Sequence, residues 1–230
     1  MELNYFRGGI KMVEISTSIL NVEKENAMKV FYGLEIAHTD YFHIDVMDGK
    51  FVPKNTVELM KEYSNSIKQM SNIPIDVHLM VEDVKEFVDE YAGLEPNIIT
   101  FHIEAAKLKE EVMNYIDLIK SVGAKVGIAI KPNTKIEEVY KYLPYIHMCL
   151  VMTVEPGLGG QKLISETLDK VKTLKEYIDK NNIDIDIEVD GGINSDTIES
   201  AKEAGANIFV AGTAIVKSEN IEEAVEELRK

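Results

Sequence analysis

The feature that most constrains this chain is a regular alternation of short apolar runs with amphipathic stretches. Eight runs rich in β-branched residues are predicted strands, at residues 13–20, 41–47, 75–81, 98–104, 125–131, 149–154, 185–190 and 208–212. The stretches between them have the apolar spacing of helices, as at residues 58–70, 108–122, 165–180 and 221–230. Strict alternation of eight strands with eight helices indicates a parallel sheet with helical crossovers.

Eight such repeats in 230 residues predict an α/β fold with a single (β/α)8 barrel. A doubly wound open sheet is the competing architecture, but it usually has fewer strands. Residues 1–11 show no pattern and are interpreted as a flexible N-terminal extension. Residues 12–230 are assigned to the barrel domain.

The charge balance restricts the partners that the chain can have. It carries 25 Lys and Arg against 40 Asp and Glu, a formal net charge of −15. Nucleic acids and anionic membranes attract basic surfaces, so neither is expected to bind. No apolar run approaches the roughly 18 residues of a membrane span. The single cysteine, Cys149, excludes an internal disulfide and fits a reducing cytoplasm.

Histidines and carboxylates occupy strand positions where a plain barrel core would have Val, Ile or Leu. Alternation along each strand places His43, Asp45, His78 and Asp190 on the face that points into the barrel, near the carboxyl ends of three strands. Buried charges need partners or a metal, and barrel enzymes carry their chemistry at these strand ends. We therefore predict one divalent metal ion, with zinc, iron(II), manganese and cobalt all compatible. The alternative is that each histidine is an ordinary core residue.

Glycine-bearing loops follow the last three predicted strands. Glycine lets backbone N–H groups approach an anion closely, and barrel phosphate sites are often built after strands seven and eight. None of these loops contains Lys or Arg, so backbone amides are expected to hold the phosphate. The alternative is that the glycines only make tight turns. The loop residues are Gly157, Leu158, Gly159, Gly160, Gly191, Gly192, Gly212 and Thr213.

Five motifs make the chain recognisable from Met12 onward. They are HIDVMDGKFVP (43–53), DVHLMV (76–81), VMTVEPGLGGQ (151–161), EVDGGI (188–193) and VAGTAI (210–215). In order and spacing they resemble the ribulose-phosphate 3-epimerase family. The resemblance implies a barrel of the ribulose-phosphate-binding type. It implies interconversion of D-ribulose 5-phosphate and D-xylulose 5-phosphate in the pentose phosphate pathway, by a homo-oligomer (dimer or hexamer).

The resemblance also assigns roles to individual residues. It implies that His43, Asp45, His78 and Asp190 bind the metal, and that Asp45 and Asp190 are the acid/base pair acting through a metal-stabilised enediolate. The residues expected to contact the sugar phosphate are the eight loop residues above together with Ser18, His78, Met47, Met80 and Met152.

Departures from the family pattern lie at the expected substrate mouth, where Lys50, Leu158 and Thr213 replace commoner residues. They bear on the identity of the substrate more than on the reaction. A D-allulose-6-phosphate 3-epimerase is therefore the first alternative. A non-catalytic phosphosugar-binding barrel is the second. A metal-free decarboxylase is the third, but the Asp-x-Lys-x-x-Asp signature of that group is absent.

Overall fold

A closed sheet of eight parallel strands forms the centre of the molecule, in a computed structural model that describes residues 12–230. Each strand pairs with the next along the chain, and the last pairs with the first. The strands are β1 (Glu14–Ser18), β2 (Tyr41–Met47), β3 (Ile75–Met80), β4 (Ile98–His102), β5 (Lys125–Ile130), β6 (Met148–Met152), β7 (Asp186–Asp190) and β8 (Ile208–Ala211). The predicted barrel is confirmed, and the predicted extension at residues 1–11 lies outside the described residues.

Helices cover the outside of this sheet. They are α1 (Ala27–Ile36), α2 (Val57–Met70), α3 (Val84–Tyr91), α4 (Lys109–Ser121), α5 (Leu168–Asn181), α6 (Ile198–Ala204), α7 (Thr213–Val216) and α8 (Ile221–Arg229). Side-chain caps begin two of them, because Asp83 accepts a hydrogen bond from the Glu86 N–H and Asn220 accepts one from the Glu223 N–H. No α-helix within residues 12–230 combines the length and the apolar character needed to cross a bilayer.

The predicted alternation of strands with helices is confirmed, but the helices that follow β5 are not α-helices. Two 3-10 helices, Ile136–Glu138 and Tyr140–Tyr145, stand there, and β8 is followed by two α-helices. The buried residues Ile136, Val139 and Tyr142 recur every third position, which places them on one face of a helix with three residues per turn. Pro144 also lacks the N–H that an α-helix would need at that point.

The two faces of the strands have different chemistry, as the alternation predicts. Outward residues such as Ile44, Val77 and Val189 pack with the helices in the main hydrophobic cluster. Inside the barrel, Ile98, Met148 and Ile208 form an apolar cluster toward the amino ends of the strands. Polar side chains follow above it, and they lead to the carboxyl ends of the strands.

Candidate active site

Four of the predicted site residues converge at the carboxyl ends of β2, β3 and β7. One nitrogen or oxygen atom from each of His43, Asp45, His78 and Asp190 lies within 4.8 Å of the others. Pairing of β2 with β3 places Asp45 opposite His78, and the two side chains approach to 3.3 Å between Oδ1 and Nδ1. The His78 Nδ1 atom is also 3.7 Å from the Asp190 Oδ2 atom. The structure thus brings together the set that the strand pattern selects.

Two ring nitrogens in this cluster have no hydrogen-bond partner. They are His43 Nε2 and His78 Nδ1, and both histidines are fully buried. A buried polar atom without a partner costs free energy, so these two nitrogens are suited to bind a ligand. Two imidazoles and two carboxylates suit a divalent transition metal. The residues present therefore fit the metal that the chemistry of the site implies.

A second polar layer lies below His43 and orients it. The His43 Nδ1 atom is 2.6 Å from Asp76 Oδ2, and Ser16 donates to the same oxygen at 2.9 Å. A carboxylate on one ring nitrogen leaves the other free for a metal. Burial disfavours the imidazolium, but Asp76 and Asp45 outweigh burial and raise the pKa of His43. Burial and the neighbouring Asp76 raise the pKa of Glu188, which favours its neutral form.

The two aspartates have opposite electrostatic environments. Burial opposes ionisation of Asp45, but His43 and His78 outweigh burial and hold the pKa of Asp45 below its usual range. Ser18 also donates to Asp45 Oδ2 at 2.7 Å. Burial and the nearby Asp45 raise the pKa of Asp190 to about 6. Two carboxyl groups with divergent pKa values suit a general acid and a general base.

His78 is held from its other side by a chain that runs through the buried His102 to the partly exposed Glu104. The His78 Nε2 and His102 Nε2 atoms are 2.9 Å apart, and His102 Nδ1 lies 3.1 Å from Glu104 Oε2. Glu104 stands in a 3-10 turn (Ile103–Ala105) directly after β4, and not on the predicted strand itself. Burial lowers the pKa of His102 to about 4. For Glu104, burial is outweighed by hydrogen bonds from His102 and its neighbours, which lower its pKa to about 2.

A cleft of about 310 Å³ opens above the four converging side chains. Asp45 and Asp190 reach its surface, whereas His43 and His78 are buried beneath it. The other predicted residues that line it are Ser18, Met47, Met80, Met152, Gly157, Leu158, Gly159, Gly160, Gly191, Gly192, Gly212 and Thr213. Every predicted substrate contact except His78 therefore faces one cavity.

Asn21 is a cleft residue that the sequence analysis did not select. Its Nδ2 atom donates to Thr213 Oγ1 at 3.0 Å, and it packs closely on Gly159, where an added Cβ would lie 2.3 Å from that nitrogen. It therefore joins the segment after β1 to two of the glycine-bearing loops. The sequence feature that could have identified Asn21 is its position three residues beyond the end of β1, on the face of the barrel where active sites lie.

Solved structures with low sequence identity share the fold. KGPDC from Streptococcus mutans is 13% identical with a TM-score of 0.70, covering 94% of this chain and 95% of that chain. The 3-hexulose-6-phosphate synthase from Salmonella typhimurium is 15% identical with a TM-score of 0.68, covering 94% and 97%. At these identities the likeness concerns the barrel alone.

Sequence comparison is more specific. The model of the ribulose-phosphate 3 epimerase family matches residues 14–216. The ribulose-phosphate 3-epimerase of Methanocaldococcus jannaschii is 40% identical over 219 residues, which are 95% of this chain and 91% of that protein. The Bacillus subtilis protein of the same name is 36% identical over 220 residues, 95% and 99% of the two chains. The chain therefore belongs to the ribulose-phosphate 3-epimerase family, and it is an isomerase.

Proposed function

We propose that this protein interconverts D-ribulose 5-phosphate and D-xylulose 5-phosphate by moving a proton at C3. The observation that carries the proposal is the pair Asp45 and Asp190, placed on β2 and β7 at the floor of one cleft with pKa values shifted in opposite directions. Epimerisation at C3 needs a base on one side of the carbon and an acid on the other. A pair of carboxyl groups with divergent pKa values, of which Asp190 holds a proton more readily than Asp45, meets that need.

The steps assigned to these side chains balance in protons. One aspartate removes the C3 proton, which is acidic because C3 lies next to the C2 carbonyl, and an enediolate forms. The other aspartate then delivers its proton to the opposite face of C3, and the reverse reaction exchanges the two roles. A divalent cation held by His43, Asp45, His78 and Asp190 would supply the positive charge that stabilises the enediolate. The metal could be zinc, iron(II), manganese or cobalt.

The cleft walls support the same proposal. Met47, Met80 and Met152 line it beside the aspartates and are each at most 2% exposed, so they help to exclude water without adding a charge. None of the described residues that line the cleft is Lys or Arg. We propose that backbone amides of the glycine-bearing loops hold the phosphate, with Asn21 and Thr213 adding polar side chains.

The test compares substrates. Purified protein loaded with one metal at a time is assayed for kcat/KM on D-ribulose 5-phosphate and on D-allulose 6-phosphate, with and without a chelator. Preference for the pentulose, lost on chelation and restored by metal, is the expected result. Preference for the hexulose would assign the protein to allulose-6-phosphate epimerisation. Binding of both sugar phosphates without turnover by either would leave a non-catalytic phosphosugar-binding barrel.

We also propose that the protein is a homo-oligomer, either a dimer or a hexamer. This proposal is supported by three exposed apolar side chains that recur every fourth residue along α1. They are Met28, Tyr32 and Ile36, which are 45%, 53% and 63% exposed. A helix presents such residues as one stripe, and a second copy of the chain is its proposed occupant. Light scattering after size exclusion should give a multiple of 25.9 kDa that falls in the Tyr32→Glu variant. A monomeric wild type would refute the proposal.

A further inference from the structure

A chain of three side chains connects the four candidate metal ligands to the segment that follows β5. His78 meets His102 through their Nε2 atoms at 2.9 Å, and His102 Nδ1 meets Glu104 Oε2 at 3.1 Å. The other carboxylate oxygen of Glu104 accepts from the Lys131 N–H at 2.8 Å and from the Thr134 hydroxyl. Both histidines are fully buried, so water does not reach the contact between them, whereas the Glu104 side chain is 22% exposed.

Counting protons from the Glu104 end determines the state of both rings. A carboxylate can only accept, so the proton between Glu104 and His102 belongs to His102 Nδ1. A neutral imidazole has one N–H, so His102 Nε2 is then an acceptor. His78 must donate to it from Nε2. The Nδ1 atom of His78 is left without a proton.

A cation bound at the other end of the chain would require the same arrangement. The His78 Nδ1 atom is buried without a hydrogen-bond partner and lies 3.3 Å from Asp45 Oδ1 and 3.7 Å from Asp190 Oδ2. A divalent cation held between these groups would make His78 Nδ1 a ligand, and a ligating nitrogen carries no proton. The His78 proton must then be on Nε2, where it points at His102. Metal binding at His78 Nδ1 and hydrogen bonding to the Glu104 carboxylate therefore require the same tautomer of His78.

We infer that Glu104 is a positioning residue that sets the tautomer of His78 through His102, keeping the His78 Nδ1 atom available to a divalent cation. The inference rests on the metal-dependent function proposed above. It also distinguishes the two histidine ligands. Asp76 contacts the Nδ1 atom of His43 directly and leaves Nε2 for the metal, whereas His78 is controlled through a second ring and presents Nδ1.

Glu104→Gln is the informative variant because it keeps the shape and removes one acceptor. The Lys131 N–H can only donate, so it attracts the amide oxygen and leaves the amide NH₂ facing His102. His102 Nδ1 must then accept, its proton moves to Nε2, and His78 must accept at Nε2 and carry its own proton on Nδ1. The cation would meet an N–H in place of a lone pair.

The experiment measures tautomers and metal affinity separately. Protein labelled with ¹⁵N-histidine is studied metal-free by two-bond ¹H–¹⁵N correlation, which assigns the protonated nitrogen in each of the five histidine rings. Zn²⁺ affinity is measured by competition with a chromophoric chelator. We expect the wild type to carry the proton on His102 Nδ1 and His78 Nε2. Glu104→Gln should reverse both and weaken Zn²⁺ binding about 10- to 100-fold.

Two control variants separate the carboxylate from its surroundings. Thr134→Val removes one hydrogen bond onto Glu104 but leaves the carboxylate, so both tautomers should persist. Glu137→Gln makes the same charge change at an exposed position after β5 and should alter neither measurement.

The inference is overturned if the wild type protonates His102 on Nε2, or on both nitrogens. It is equally overturned if Glu104→Gln folds and binds Zn²⁺ as tightly as the wild type. The wild-type spectrum decides the matter even if Glu104→Gln does not fold. Because neither readout requires turnover, a protein with the expected tautomers and no epimerase activity would refute the proposed function alone.

Discussion

Replacing Gly192 with alanine should damage catalysis much more than it damages folding. Gly192 has a φ of +71°, and a Cβ built there would lie 2.3 Å from the backbone nitrogen of Leu163. Backbone cannot rotate away as a side chain can, so one of the two segments must move by about 1 Å to reach ordinary contact. Gly192 lies two residues beyond Asp190, and a misplacement of about 1 Å near reacting groups can lower the rate about 100-fold.

The matched control is Gly123→Ala, at the opposite end of the barrel between α4 and β5. Gly123 has a φ of +85°, but no heavy atom lies within 4 Å of its built Cβ. It should lose only the roughly 1–2 kcal/mol of a left-handed non-glycine residue, measured by urea unfolding, and keep its kcat/KM for ribulose 5-phosphate. Gly192→Ala should lose about 100-fold in kcat/KM. A folded Gly192→Ala protein with wild-type kcat/KM would refute this reasoning.

Three further outcomes are expected. Zn²⁺ affinity should rise with pH, because burial lowers the pKa of His43 but Asp76 and Asp45 together outweigh burial and raise it, and the metal must displace the added proton; an affinity independent of pH between 5 and 8 would contradict this. Arg229→Ala should cost about 1 kcal/mol of unfolding free energy without changing kcat, since it removes a partly exposed ion pair with Asp40 and a hydrogen bond to the His38 carbonyl; a changed kcat would count against a purely structural role. Asn21→Ala should raise KM for the sugar phosphate more than it lowers kcat, and an unchanged KM would remove Asn21 from the phosphate site.

The fold was predictable because barrel strands are read from one repeated pattern. In β2 and β3, outward positions such as Ile44 and Val77 alternate with inward ones such as His43 and Asp45. The strands β6 and β8 are apolar on both faces and are recognisable as short apolar runs. The helix after β5 was not predictable in the same way. Buried residues three apart over a few turns do not distinguish a 3-10 helix from a short α-helix until the position of Pro144 is considered.

The sequence allowed us to predict which residues meet at the site. It did not allow us to predict the contacts that hold them in place. Side chains alternate between the two faces of a strand, and the four residues lie near the carboxyl ends of their strands. These two facts predict that the four side chains meet, as His43, Asp45, His78 and Asp190 do. The contact between His78 and His102 depends on the rotation of two rings, which no sequence spacing specifies. Asn21 carried no motif at all, because a lone amide after a strand is common in turns.

The most direct test of the central claim is solvent deuterium incorporation at C3 in metal-loaded wild type, Asp45→Asn and Asp190→Asn, with each sugar as the starting substrate. Bound metal is measured in each sample, since both aspartates are candidate ligands. The wild type should exchange and interconvert both sugars. Each variant should lose at least about 100-fold in interconversion, with residual exchange confined to one epimer and to opposite epimers in the two variants. Near-normal interconversion by a folded, metal-loaded Asp190→Asn protein would contradict the two-aspartate account.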